Sequence, residues 1–174
     1  WNTLQEEIEA PRDSRFESLI GKENKPMRLK EVPLHKTPRI KTNLNELDRL
    51  IGGGIVPGSL TLVGGDPGIG KSTLMLQLAY QLAKQGLLVL YISGEESLEQ
   101  TTLRALRLQI ETDHLLILSE THFSQIKANI DVINPDVLIV DSIQIVYKAD
   151  LASAPGSVTQ VRETTTEFMH LAKG

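Results

Sequence analysis

Gly65-Asp66-Pro67-Gly68-Ile69-Gly70-Lys71-Ser72 carries the required residue at each fixed position of the pattern G-x-x-x-x-G-K-[ST]. Its glycines let the backbone curl until successive N–H groups point inward. A helix starting at the same place adds its positive dipole end, so the loop is suited to hold phosphate. In such a loop Lys71 reaches the β- and γ-phosphates, Ser72 holds Mg2+ through its hydroxyl, and Thr73 beside it meets the α-phosphate. The flanks agree with this reading. Ser59-Leu60-Thr61-Leu62-Val63 is apolar and β-branched, and Gly64-Gly65 closes it, so it is expected as a buried strand feeding the loop. Over residues 72–85, Leu74, Leu78 and Leu82 with Met75, Ala79 and Ala83 form a stripe at helical spacing that Gly86 ends.

Further along, strands and helices alternate. Residues 87–93 read as a continuous apolar strand, and Ser97-x-x-Gln100 as a capping box opening a helix with Leu103, Leu106 and Ile110 on its face. Residues 115–118 form the next strand. Phe123, Ile126, Ile130 and Ile133 mark another helix, which Asn134-Pro135 breaks, and Val137-Leu138-Ile139-Val140 is a third apolar strand. Ser157-x-x-Gln160 caps a last helix with Val158, Val161, Thr165 and Phe168 along one side. Strands this apolar, separated by helices, specify an α/β fold with a mostly parallel sheet covered on both faces.

Upstream, Asn45 to Ile51 reads as one or two helical turns stopped by Gly52-Gly53-Gly54. Residues 1–38 show no sustained period and are expected as a linker or arm, with residues 39–174 forming the core. Lys22, Lys25, Arg28, Lys30, Lys36, Arg39 and Lys41 in that region face only Glu23 and Glu31, so its charge suits either phosphate backbone or plain solvation. Residues 1–50 hold ten Lys/Arg against nine Asp/Glu, whereas the remainder holds eight against thirteen, within a net charge of −4. Any basic surface must therefore be local. The 174 residues, 40% hydrophobic and 23% charged, suffice for one core. No apolar run approaches the roughly 20 residues of a membrane span and cysteine is absent, so a cytoplasmic protein without disulfides is expected.

Two acidic sites complete the chemistry. Asp141 follows the strand 137–140, at the carboxyl end where open α/β sheets place ligand-binding groups, and is expected to orient Mg2+ through water. Glu95-Glu96 follows the strand 87–93. Hydrolysis needs a carboxylate near the γ-phosphate to polarise the attacking water, and Glu95, the first after Gly94, is favoured for this over Glu96. His35, His114, His122 and His170 show no metal-binding spacing.

The segments 46–59, 64–73, 91–97 and 153–163 together resemble the bacterial RadA (Sms) family over nearly the whole chain. The resemblance implies a RecA-like P-loop ATPase, similar to a hexameric DnaB-like motor, that uses ATP and Mg2+ to drive branch migration in DNA repair and recombination. It implies Glu95 and Lys71 as catalytic residues, and as partners single-stranded or branched DNA, further copies of the chain, and RecA. It also implies a four-cysteine zinc finger upstream of Trp1-Asn2-Thr3-Leu4, and a further strand and a Lys-Asn-Arg-Phe-Gly motif beyond Gly174. In RecA-like sheets that strand lies between the loop strand and the Asp141 strand. The chain is accordingly expected to be a fragment with a gap in its sheet, in which independent ATPase activity is doubtful. Family members usually have glycine at the position of Asn43, and asparagine tolerates the same left-handed geometry. Residues 148–157 correspond to the loop that RecA-like motors turn toward DNA, with Lys148 as its only base. A KaiC-like signalling ATPase and a nonhydrolysing nucleotide-dependent scaffold are the alternatives. A small-molecule kinase is less favoured, since no acceptor pocket or lid is identifiable.

Overall fold

The computed structural model describes residues 28–31 and 38–173. The chain divides into two units, residues 1–36 and 37–174. Of the first unit, Leu29–Glu31 forms a 3-10 turn closed by the Glu31 amide on the Arg28 carbonyl. The rest of the arm expected over residues 1–38, apart from Pro38, lies outside the described residues.

The second unit runs through helices α1 (Asn45–Leu50) and α2 (Lys71–Ala83), then β1 (Val89–Ser93), α3 (Leu98–Arg107), β2 (Leu115–Ser119), α4 (Phe123–Ile133), β3 (Val137–Asp141) and α5 (Val158–Lys173). A short 3-10 turn, Ile143–Ile145, follows β3. The three strands form a parallel sheet in the order β2-β1-β3. Chain direction explains the layering. The step from β1 out to β2 and the step back across β1 to β3 run in opposite senses, so right-handed crossovers send α3 and α4 to opposite faces. Strand periodicity then splits β1 between two cores. Val89 and Tyr91 pack with Leu76, Leu78, Ala79, Leu82 and Ala83 of α2, and Leu90 and Ile92 with Phe123, Ile126 and Phe168 of α4 and α5. Phe123 and Phe168 meet edge to face, 5.2 Å between centroids. The α/β class, with its parallel sheet and helices on both faces, is as expected. Among the described residues no helix is long and apolar enough to cross a membrane.

Three local expectations are corrected. Residues 59–63 form no strand, and Leu60, Leu62 and Val63 are exposed. A strand exists only through a partner's ladder, and among the described residues none lies alongside; β3 is the last strand on its side of the sheet. On α3 the buried residues are Thr101 and Ala105, while Leu103 and Leu106 are exposed. Polar contacts set that helix's rotation. Thr101 Oγ1 donates to Ser93 Oγ at 3.3 Å, and Arg104 pairs with Glu96. On α5 the buried set is Gln160, Thr164 and Phe168, and Val158 is exposed. The Gln160 amide accepts from the Lys148 N–H at 2.9 Å and donates to the Lys148 and Ser153 carbonyls at 3.0 and 2.9 Å, so a polar side chain takes the inward face.

The turns follow their chemistry. Asn43 sits at φ 58° and Asn134, after α4, at φ 49°. Gly54 is at φ 133°, and a Cβ there would lie 2.5 Å from the Ile40 carbonyl oxygen, across the bridge between Ile40 and Ile55. Both halves of the capping box at Ser97 and Gln100 are formed.

Candidate phosphate-binding site

The loop at residues 65–70 is exposed and leads into α2, whose N-cap, Gly70, has left-handed backbone at φ 100° and no side-chain cap. Gly68, at φ 78°, also needs the freedom of glycine. The first intrahelical bond runs from the Leu74 amide to the Gly70 carbonyl at 3.0 Å. The amides of Lys71, Ser72 and Thr73 thus have no place in the helical ladder, and no acidic residue occupies that first turn. Lys71 Nζ donates to the carbonyls of Gly65 at 2.7 Å and Asp66 at 2.8 Å, which holds the ammonium over the loop. Glycines, unused amides, a cation and a helix start suit the phosphates of ATP.

The carboxylates assemble at the carboxyl ends of β1 and β3, which adjoin because Ser93 pairs with Asp141. The Gly94 amide donates to the Asp141 carbonyl at 3.0 Å. A Cβ on Gly94 would overlap the Ile145 side chain, which would have to shift to admit any other residue. Asp141 Oδ2 accepts from the Tyr91 hydroxyl at 2.6 Å. Burial, and then the neighbouring Asp141 carboxylate, push the Tyr91 hydroxyl well above its usual titration range, so it stays a donor. Exposed Glu95 accepts at Oε1 from Ser142 Oγ at 2.6 Å. Glu96 instead pairs with Arg104 of α3, and its backbone carbonyl accepts from Ser93 Oγ at 2.9 Å.

The structure therefore brings Glu95 and Asp141 to one corner through Ser142. Among the described residues no hydrogen bond joins that corner to Lys71, Ser72 or Thr73. The Ser72 hydroxyl and the Asp141 carboxylate offer the hard oxygen chemistry that Mg2+ prefers. Among the described residues no cluster of three or more His, Cys, Asp or Glu forms a separate metal cage.

Three contributors were missed in the sequence: Ser142, Tyr91 and Arg104. Ser142 directly follows Asp141, which was a usable signal. The reach of Tyr91 and Arg104 depends on strand and helix placement. Lys148 does not present a free base. Its ammonium lies 2.6 Å from Glu167 and 3.9 Å from Asp150, with its side chain 17% exposed.

A parallel α/β sheet, a phosphate loop heading a helix and acids at neighbouring strand ends define a P-loop nucleotide-binding domain. The model of the AAA domain family matches residues 23–173, and the chain belongs to that family. It is similar to the DNA repair protein RadA of Chlamydia trachomatis, with 51% identity over 99% of this chain and 38% of the relative. RadA of Bacillus subtilis is 51% identical over 99% of the chain and 39% of the relative, and RadA of Streptococcus pyogenes serotype M1 47% over 99% and 38%. The chain thus spans under two fifths of the length of these relatives, and the resemblance to RadA read from its motifs extends along nearly all of it.

Proposed function

We propose that this chain is the RecA-like ATPase core of a DNA repair and recombination protein, a DNA-stimulated motor acting in branch migration from the cytoplasm as a ring of copies. The observation that carries the reading is the meeting of Glu95 and Asp141 at adjacent strand ends of a sheet flanked by the phosphate-loop helix. The names of the relatives support the choice of DNA.

In this reading Gly65, Asp66, Pro67, Gly68, Ile69 and Gly70 wrap the phosphates with main-chain amides, and Thr73 reaches the α-phosphate. Lys71 moves from its carbonyls to the β- and γ-phosphates. Ser72 would hold Mg2+ through its hydroxyl and Asp141 would orient it through water, and the ion when bound supplies positive charge against that developing on the phosphates. Tyr91 keeps the Asp141 carboxylate oriented. Glu95 accepts a proton from the water whose oxygen bonds to the γ-phosphorus, while the bond from that phosphorus to the bridging oxygen breaks and ADP leaves. DNA contact belongs to residues 148–157 and their surroundings. Arg162, exposed on α5, is a better candidate cation there than Lys148.

The test is phosphate release by the full-length protein with and without single-stranded DNA. Faster turnover with DNA is expected. Equal turnover would overturn the motor, and tight nucleotide retention without phosphate release would point to a scaffold.

A further inference from the structure

The Ser142–Glu95 bond joins residues 47 apart in the chain, and although Glu95 is exposed, the backbone on both sides of the bond is held in place. Strand pairing puts the exits of β1 and β3 side by side, the Gly94 amide binds the Asp141 carbonyl, and Ile145 fills the space beside Gly94. Glu96, the neighbouring carboxylate, is turned to Arg104. A hydroxyl donating to a carboxylate at this length is a strong, directional contact, and it leaves one carboxylate oxygen as an acceptor. Glutamate otherwise has several rotamers to lose before it can serve as a base.

We propose that Ser142 is the positioning residue of Glu95: its hydroxyl occupies Oε1 and fixes the carboxylate so that Oε2 receives the proton of the attacking water. This rests on the reading of Glu95 as the base for ATP hydrolysis. Ser142 touches neither nucleotide nor water in this scheme, so its loss acts on the chemical step and spares binding. Small misplacements of a catalytic group cost up to about a hundredfold in rate.

The experiment uses full-length wild type, Ser142→Ala and Ser142→Thr. It measures kcat, KM, affinity for a fluorescent nonhydrolysable ATP analogue, affinity for ADP with aluminium fluoride, and the melting midpoint. Ser142→Ala is expected to lower kcat about 10- to 100-fold and weaken aluminium fluoride binding to a similar degree. Analogue affinity and melting should stay at wild-type values, and Ser142→Thr should restore most of the rate. An unchanged kcat in Ser142→Ala overturns the proposal. So does joint loss of binding and turnover that Ser142→Thr fails to rescue, since that would make Ser142 structural. A wild type that binds ATP without hydrolysing it removes the reading of Glu95 itself.

Discussion

Lys71 binds two loop carbonyls through one ammonium, so truncating it removes both the contact that shapes the loop and the charge that the proposed phosphate contact requires. Lys71→Ala is expected to abolish turnover in the full-length protein, with phosphate release as the readout. The two adjacent glutamates can be told apart by their partners. Glu95→Gln keeps the shape of the side chain and loses the proton acceptor. It should bind ATP normally and cut turnover by about 10^2- to 10^4-fold in a phosphate-release assay. Glu96→Gln should leave most of the rate, because that carboxylate already serves Arg104. Unaltered turnover in Glu95→Gln would move the base role to Glu96. Gly94 has a purely steric part. Gly94→Ala places a methyl group on Ile145, and is expected to cost about 1–3 kcal/mol in urea unfolding.

Single polar side chains orient whole elements. Gln160 holds the chain at Lys148 and Ser153 against α5 with three bonds. Gln160→Ala would leave these part-buried backbone groups without their partner at about 1–3 kcal/mol, measurable as a lower denaturant midpoint. Within α1, Asp48 Oδ1 accepts from the amide and the hydroxyl of Thr42, which precedes the helix, both at 2.9 Å. The Thr42 amide is the main reason the Asp48 carboxyl titrates below its usual 3.8. Because the folded value is depressed, the stability Asp48 supplies is complete above that usual value and disappears as pH falls through the folded one. Asp48→Asn should lower the unfolding midpoint at pH 7, and its difference from wild type should shrink as pH falls below 3.8. These preferences were only half visible in the sequence. Helix positions followed from apolar spacing and capping residues, but the stripes on α3 and α5 suggested the wrong inward faces. Spacing reports where apolar side chains could go, whereas Arg104 and Gln160 found polar partners in the segments that lead into their helices.

At the scale of the molecule, β1 is covered on both sides and flanked by two strands, while residues 59–63 run beside no strand among the described residues. The resemblance to RadA implies a strand between them and β3. Amide hydrogen exchange should therefore find Leu60, Leu62 and Val63 exchanging quickly in this 174-residue chain while β1 is protected. The same three amides should become protected in the full-length protein. Fast exchange in both would remove the implied strand from this sheet. Sequence alone determined the phosphate loop, the alternation of strands and helices and the acidic residues at strand ends, because each depends on local geometry: a glycine's φ, a period of two or 3.6, a residue's distance from a strand. Only the tertiary structure decided that Glu95 meets Ser142, that Glu96 goes to Arg104, that Lys148 is neutralised, and that the apolar run at 59–63 forms no strand. Each of these depends on a partner that spacing along the chain does not specify, from eight residues away for Glu96 and Arg104 to 47 for Glu95 and Ser142, and a hydrogen bond or a ladder exists only where folding brings both halves together.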